Sequence, residues 1–291
     1  MNEYTAIVIS YDDGLTLCRL VKEILTSDAS RVVVMYGGHN GESESLRRIQ
    51  DKRLILEENE ERLGKCECLN RALTHVTGDF VFVMSGDIEI DHGIFERVFS
   101  SFSDDVGVVV PKVQPRKERG IHGILGAMIW KLHDIQLSYL SARKMNVHGG
   151  EFIGIRRSLL KTLPLVVNDD AYLCLSARSS GYYVVYNEGA IVHNFLPLNT
   201  YDLIRQRIRI NFGHRQLLNM KMDPLVMSTM VLTNRKIFFD ILRIYLKKYP
   251  RDAFILPLVF FIELLSITVA QIHIISGKSY LIWPLIKRNT H

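Results

Sequence analysis

The sequence has few cysteines and none of the short motifs that mark nucleic-acid-binding domains. Cysteine occurs four times in 291 residues, and only Cys66 and Cys68 lie close together. No second pair completes a set of zinc ligands, so we expect reduced thiols in a cytosolic domain. The net charge of +5 comes without an RNP, zinc-finger or helix-turn-helix signature. We therefore expect no nucleic-acid partner, and the anionic face of a membrane remains as the partner of a basic chain.

The chain also lacks internal repeats, low-complexity segments and a recognisable leader. Its first residues, MNEYTAIVISYDDG, contain neither a basic stretch nor a long apolar run, so we expect no signal peptide. The length accommodates one α/β domain with an appendage. A hydrophobic content of 47% indicates membrane contact. We predict a folded domain over residues 1–200 and a membrane-associated region over residues 201–291.

Apolar strands alternate with helical segments in the first third of the chain. The predicted strands are TAIVIS (5–10), RVVVMY (31–36), RLILEE (53–58) and DFVFVM (79–84), and the predicted helices cover residues 14–27 and 64–76. Strands without polar alternation, separated by helices, predict a mostly parallel sheet covered on both faces. Ligands of such sheets bind beyond the carboxyl ends of the strands, where Asp12, Asp13 and residues 87–91 fall.

The middle of the chain continues this alternation. Residues 106–115 are predicted to form a strand, and residues 121–142 a long helix whose polar positions argue against a membrane span. A further helix is expected from Asp170, with Gly181 ending it before another strand.

The C-terminal third has the composition of membrane-associated helices. Residues 201–218 form a basic amphipathic pattern, and residues 226–248 mix apolar and basic side chains as an interfacial helix does. Residues 253–276 are long enough to cross a bilayer core of about 30 Å, although a buried helix of a soluble protein is the alternative. Residues 277–291 are short, apolar and basic at their end, and suit a re-entrant segment.

The charges around the predicted span favour one orientation. Lys247, Lys248 and Arg251 precede it, which places the main domain on the cytoplasmic side by the positive-inside rule. Glu263 lies near the middle of the span, so we expect it to face protein or a polar ligand.

Two carboxylates follow the fourth predicted strand at alternate positions. Alternation along an extended chain would direct Asp87 and Glu89 to one side. Two hard oxygen ligands at this spacing suit Mg²⁺ or Mn²⁺, which complete their coordination with water and substrate phosphate. A solvated acidic turn is the alternative.

Five short motifs in order resemble the family-two inverting glycosyltransferases of GT-A fold. The matching segments are VISYDD (8–13), GKCECLN (64–70), MSGDIE (84–89), NDDA (168–171) with Gly181 eleven residues after Asp170, and QRIRI (206–210). They resemble the nucleotide-contacting turn, the G-K-x-x-A-L-N helix start, the D-x-D, the T-E-D and the Q-x-x-R-W segments of that family. The similarity is greatest to its cellulose-synthase-like membrane members and to archaeal, polyprenyl-phosphate-dependent mannosyltransferases.

The resemblance implies a GT-A fold and a set of site residues. Asp170 would be the general base for the acceptor hydroxyl, since inversion requires attack opposite the leaving group. The implied ligands of Mn²⁺ or Mg²⁺ are Asp87, Glu89 and His193, and the implied contacts to the nucleotide sugar are Tyr11, Asp13, Lys65, Asn70, Asp87, Gln206 and Arg209.

Alternatives remain open for several of these residues. Asp169 suits the N-cap of the helix, and both adjacent aspartates fit capping and surface charge. His193 fits a purely structural role, and Arg209 fits a contact with lipid headgroups.

Three positions depart from the family pattern. Ser85 replaces the first carboxylate of the D-x-D, and the run MYGGHNG (35–41) lacks the acid that follows the second strand in relatives. Ile210 replaces the tryptophan of Q-x-x-R-W, which argues against a processive polymerase.

The resemblance predicts a metal-dependent, inverting hexosyltransferase at a cytoplasmic membrane face. It would move mannose or glucose from GDP-mannose or a UDP-sugar to a lipid-linked acceptor, either polyprenyl (dolichyl) phosphate or a lipid-linked glycan. A catalytically inactive scaffold subunit that binds nucleotide sugar is the alternative. A nucleotidyltransferase would require a Gly-rich, basic loop after the first strand, and SYDDGLT is not such a loop.

Overall fold

One mixed sheet organises the molecule, which a computed structural model describes over residues 3–38 and 42–282. Within these ranges the sheet has eight strands in the order β3-β2-β1-β4-β7-β6-β8-β5. They are β1 (Tyr4–Tyr11), β2 (Arg31–Gly37), β3 (Leu54–Asn59), β4 (Phe80–Ser85), β5 (Ile88–Ile90), β6 (Val106–Pro115), β7 (Phe152–Arg156) and β8 (Tyr183–Asn194).

The four strands predicted in the first third form a parallel half-sheet, β3-β2-β1-β4. Both faces of β1 are covered, because Ile7 belongs to one buried cluster while Ala6 and Val8 belong to the other. This burial on both sides explains why the strands read as uninterrupted apolar runs. The α/β class and the parallel arrangement are therefore confirmed for this half.

The other half of the sheet is mixed. Strand β7 runs antiparallel to both β4 and β6, while β6 and β8 are parallel and β5 is antiparallel to β8. The sequence patterns did not predict β5 or β7. Gly154 lies within β7, where an added Cβ would be 2.8 Å from the Phe82 ring and 2.9 Å from Val98, so the glycine permits close packing.

Ten α-helices surround the sheet within the described residues. They are α1 (Leu15–Leu25), α2 (Glu42–Arg47), α3 (Lys65–Ala72), α4 (Ile94–Phe99), α5 (Gly120–Ser141), α6 (Asp169–Ser179), α7 (Thr200–Asn219), α8 (Met227–Thr233), α9 (Arg235–Lys248) and α10 (Leu256–Ile275). Short 3-10 helices occupy Leu73–His75, Arg157–Leu159 and Pro250–Phe254.

The C-terminal helices share a core with the sheet. One buried cluster contains Ile7 of β1 together with Tyr245 of α9 and Val259 of α10. The segment predicted as one interfacial helix over 226–248 is instead two helices, because the backbone at Asn234 leaves the helical region with φ −137° and ψ 54°. The boundary at residue 200 stays a prediction.

Helix α10 is the one helix in the described ranges that is long and apolar enough to cross a membrane. Its apolar surface is largely open, with Phe261 62% and Leu264 64% exposed. Residues 283–291, most of the predicted re-entrant segment, lie outside the described residues.

Candidate active site

The turn after β1 lies at the carboxyl edge of the parallel strands. Asp12 has a positive φ of 56°, and its backbone N–H donates to the Gly37 carbonyl at 3.2 Å. The Asp13 carboxylate accepts hydrogen bonds from Ser10 Oγ at 2.7 Å and from the Tyr11 backbone N–H at 3.2 Å. These bonds hold Asp13 at the edge where the sequence predicted a nucleotide contact.

The loop that carries Asp87 packs directly on this turn. Gly86 makes the approach possible, because an added Cβ would lie 2.6 Å from Ser10 Cβ and 2.7 Å from Asp13 Oδ2. The Gly86 N–H donates to the Ile9 carbonyl at 2.9 Å. The two predicted donor-binding motifs thus meet through backbone contact.

A cavity of about 670 Å³ opens beside this loop. Five of the residues predicted from the sequence line it, namely Lys65, Asp87, Asp170, Gln206 and Arg209. Tyr11, Asp13, Asn70, Glu89 and His193 are outside its lining. The guanidinium of Arg62 stacks on the Tyr11 ring, 4.1 Å from the ring centroid. The fold therefore brings four of the five motifs to one cavity and leaves the first at its margin.

Lys65 connects helix α3 to the start of α6. Its Nζ lies 3.5 Å from Asp169 Oδ2 and donates to Ser85 Oγ at 3.5 Å. Burial lowers the pKa of Lys65, but Asp169, Asp170 and Glu151 outweigh this effect, so its pKa is raised and the amine stays charged.

Asp169 does not cap helix α6, contrary to the role that its position suggested. Asn168 occupies the N-cap position, and Asp169 is the first helical residue, with its side chain buried against Lys65. The Asn168 amide instead donates to the Ile210 carbonyl at 3.0 Å. Gly213 allows this contact, because an added Cβ would lie 2.3 Å from Asn168 Oδ1. Asn168 therefore holds α6 against α7.

Asp170 follows at the same helix start and lines the cavity half-buried. Burial and the neighbouring Asp169 raise its pKa to about 7, although Lys65 opposes the shift. A carboxyl whose pKa lies near the working pH suits proton transfer.

Arg209 lies in the cavity and not at the protein surface. Its side chain is 9% exposed, which argues against the alternative of a headgroup contact. Burial lowers the pKa of Arg209 to about 10, while Glu151, Asp170 and Asp169 act in the opposite direction. The guanidinium therefore remains charged near neutral pH. Glu151, which the sequence reasoning missed, lines the same cavity.

The three predicted metal ligands do not form one group in the described residues, although Glu89 and His193 are paired across the β5–β8 ladder. Asp87 lies in the turn between β4 and β5, so strand alternation does not relate it to Glu89. The Glu89 carboxylate accepts from Arg116 Nε at 2.7 Å, and His193 Nε2 lies 3.1 Å from Asp91 Oδ1. No group of three or more histidine, cysteine, aspartate or glutamate side chains has a metal-binding arrangement in the described part of the chain.

Asn70 uses both ends of its amide on the backbone. Its Nδ2 donates to the Leu163 carbonyl at 3.0 Å, and its Oδ1 accepts from the Leu163 N–H at 2.7 Å. These bonds give Asn70 a structural role. Its predicted contact to the nucleotide sugar stays a prediction.

Helix α7 also joins the cavity to α10. Arg207 Nη2 donates to Glu263 Oε2 at 3.1 Å, its Nε donates to Oε1, and Asn211 Nδ2 donates to Oε2 at 3.2 Å. Glu263 therefore faces protein, as expected for a carboxylate in an apolar helix. The sequence analysis did not assign Arg207 to the site, because no local pattern indicates its pairing with the distant Glu263.

Comparison with known proteins decides the family. The sequence model described as glycosyltransferase like family 2 matches residues 2–213, well over half of the chain. The chain belongs to this family. This glycosyltransferase matches no curated protein sequence.

Solved structures show that this glycosyltransferase has the GT-A fold. One is the mannosyltransferase PcManGT from Pyrobaculum calidifontis in complex with GDP-Man and Mn²⁺, with a TM-score of 0.67 and 17% identity, covering 95% of this chain and 88% of that one. Another is residues 1–349 of S. aureus TarS, with a TM-score of 0.52 and 14% identity, covering 96% and 93%. The predictions of the family, the fold class and a glycosyltransferase activity are confirmed.

Proposed function

We propose that this glycosyltransferase moves a hexose, mannose or glucose, from a nucleoside-diphosphate sugar to a lipid-linked acceptor at a membrane surface, with inversion of the anomeric carbon. One observation carries the proposal. A single cavity presents a carboxyl with a raised pKa, Asp170, together with the buried cations Lys65 and Arg209 and the carboxylate of Asp87. These are the groups that an inverting transfer requires.

The acidic and basic groups have separable roles. Asp170 in its ionised form accepts the proton of an attacking hydroxyl. Arg209 and Lys65 supply fixed positive charge for the diphosphate, whose charge grows as the bond to the sugar breaks. Gln206, one helical turn before Arg209 and also buried, adds a neutral donor on the same face. Because these groups are held in place before the donor binds, little reorganisation is needed during the reaction.

Asp87 fits a divalent cation held jointly with the donor. Mg²⁺ and Mn²⁺ bind through one or two carboxylates together with substrate phosphate and water, so a preformed cage of three side chains is not required. Such a cation would neutralise the leaving diphosphate. The PcManGT structure contains Mn²⁺ with GDP-Man, which supports this assignment and a nucleoside-diphosphate sugar as the donor. Glu89 and His193 would join Asp87 as ligands of the cation only after Glu89 separates from Arg116 and His193 separates from Asp91.

The surface around the C-terminal helices supports a membrane location. Exposed apolar side chains are Leu232 (75%), Phe239 (60%), Phe261 (62%), Leu264 (64%) and Ile275 (77%), on α8, α9 and α10. The same helices contribute apolar side chains to the cavity wall, including Phe238 and Phe260. A lipid chain in the bilayer would thus reach the site along apolar surface. The positive charges before α10 favour a cytoplasmic position for the catalytic domain.

A donor panel tests the proposal. Membranes containing the wild-type chain are incubated with Mn²⁺ and radiolabelled GDP-mannose or UDP-glucose, and label is measured in the lipid extract. We expect metal-dependent incorporation from one donor, abolished in Asp87→Ala. Asp104→Ala is the matched control, because Asp104 is an exposed acid that does not line the cavity. Absence of lipid-extractable label from both donors, or full activity in Asp87→Ala, would refute the proposal.

A further inference from the structure

Three histidines line the same cavity, and the proposed transfer gives them no role. His133 comes from α5, His148 from the loop before β7, and His214 from α7. Their ring centroids are 5.7 Å apart between His133 and His148, and 5.3 Å apart between His148 and His214. We call these residues the histidine row. No metal-binding group of three or more side chains is found among the described residues, so the row is not read as a metal site.

Two members of the row are buried with a ring nitrogen that lacks a hydrogen-bond partner. His148 is 5% and His214 is 8% exposed. His148 Nε2 and His214 Nδ1 make no hydrogen bond within the described part of the chain. Buried polar groups in native proteins are normally paired, because an unpaired one loses its hydration without compensation. Both nitrogens are themselves buried, so a group in the cavity bonds them once the ring turns toward it.

The row is uncharged near neutral pH. Burial lowers the pKa of His133 to about 3 and of His148 to about 4, and it lowers the pKa of His214 well below the ordinary value. The positive charge of Arg207 acts in the same direction on all three rings. Each neutral imidazole offers one hydrogen-bond donor and one acceptor.

The nearby charges leave little attraction for a phosphate at this position. Arg207 is the cation that acts on all three histidines. Its guanidinium is bound by both carboxylate oxygens of Glu263. In the proposed function Arg209 binds the diphosphate of the sugar donor, so it is not available to an acceptor phosphate. A phosphate dianion is stabilised by excess positive charge and by donors alone, whereas a hydroxyl group both donates and accepts and so satisfies either tautomer of a neutral imidazole.

We propose that the histidine row forms a subsite for a hydroxyl-bearing sugar of the acceptor, so that the acceptor is a lipid-linked glycan or glycolipid and not a bare polyprenyl phosphate. This inference rests on the proposed function. It agrees with the presence of Asp170, since a phosphate acceptor is already ionised and needs no base. In the transfer, the acceptor oxygen bonds to the anomeric carbon, its proton passes to Asp170, and the nucleoside diphosphate leaves with the electron pair of the broken bond.

The test compares acceptors that share one alkyl chain. Purified wild-type protein receives the radiolabelled donor that is active in the panel, Mn²⁺, and either dodecyl phosphate, dodecyl glucoside or dodecyl mannoside. We expect transfer to a glycoside and at least tenfold less to the phosphate. Transfer to dodecyl phosphate alone, or to no acceptor while donor is still hydrolysed, would overturn the subsite. This comparison needs no variant, so a folding defect cannot obscure it.

Substitutions then locate the subsite. His148→Phe keeps a planar ring without nitrogens, and we expect it to raise KM for the glycoside about tenfold, the value of roughly one hydrogen bond, with KM for the donor unchanged. His214→Gln retains a donor and an acceptor and should stay within about threefold of wild type. His92→Phe is the matched control, because the His92 side chain is 92% exposed.

The outcomes also separate the two proposals. An equal rise of donor and acceptor KM in His148→Phe, or no rise in either, rejects the subsite and leaves the proposed function intact. Absence of both donor hydrolysis and binding of GDP or UDP in calorimetry with Mn²⁺ rejects the proposed function, and the subsite falls with it.

Discussion

The ion pair between Lys65 and Asp169 predicts a large loss of stability from one substitution. The two side chains are 12% and 3% exposed, and their charged atoms lie 3.5 Å apart. At this distance and an effective dielectric constant of about 20, two unit charges attract by about 5 kcal/mol. Lys65→Met removes this attraction and leaves Asp169 buried beside the carboxylates of Asp170 and Glu151, with Arg209 as the cation that faces all three.

Breaking a buried pair in this way costs about 3–5 kcal/mol, because the remaining charge is not compensated. For a chain of this size the loss corresponds to a fall in Tm of about 6–10 °C. Thermal unfolding followed by circular dichroism at pH 7, without donor, measures the effect. The matched control is Arg71→Met on the same helix, since the Arg71–Glu67 pair is 49% and 39% exposed and contributes about 0.5 kcal/mol.

A double variant tests the physical reason. Lys65→Met combined with Asp169→Leu removes the unpaired charge, and we expect it to recover most of the lost stability. If the single substitution costs under about 1 kcal/mol, the pair contributes no more than a surface ion pair does. If the double variant is no more stable than the single one, packing and not charge explains the loss.

Three further outcomes follow from the site. Because the ionised form of Asp170 is the base, kcat/KM rises with pH until about 7 and then levels, and Asp170→Asn lowers kcat/KM about 10²–10⁴-fold and removes the rise; an unchanged profile would contradict this role. Gly86→Ala places Cβ 2.6 Å from Ser10 Cβ and lowers stability by about 1–3 kcal/mol in chemical denaturation, whereas Gly189→Ala, at an exposed position where Cβ lies 3.3 Å from Asn187 Oδ1, has a smaller effect. Asn70→Ala loses two backbone hydrogen bonds and about 2 kcal/mol with donor KM unchanged, and a raised KM at unchanged Tm would instead place Asn70 in the donor site.

The parallel half of the sheet was predictable from the sequence because local composition determines it. Each of its strands is apolar on both sides, and helical segments of ordinary period separate the strands. The order of five motifs was also sufficient to predict the family, since each motif marks one element end near the donor. Lys65, Asp170 and Arg209 were found in this way, and all three line the cavity.

The mixed half was not predictable because its strands depend on distant partners. Strand β5 has three residues and forms through pairing of Ile88–Ile90 with the end of β8, about a hundred positions later. Glu89 therefore lies beside His193 across the ladder and binds Arg116, a contact that no local pattern announces. Strand β7 is short and contains Gly154, so its composition resembles that of a loop.

The same reasoning explains the misassigned helix start and the missed histidines. Two adjacent aspartates at a helix start resemble N-cap residues. In the structure Asn168 is the N-cap residue, and Asp169 forms an ion pair with Lys65. His133, His148 and His214 come from three separate segments, so only the packing of α5 and α7 around the cavity brings them together.

The link between Arg207 and Glu263 affects how a soluble form could be prepared. Deleting α10 would remove an exposed apolar helix, and it would also remove the carboxylate that neutralises Arg207. The shortened enzyme would carry an additional uncompensated cation two residues from Arg209. Kinetic constants of such a fragment would therefore describe an altered electrostatic environment, whereas replacing the exposed Phe261 and Leu264 with polar residues would reduce hydrophobicity and leave Glu263 in place.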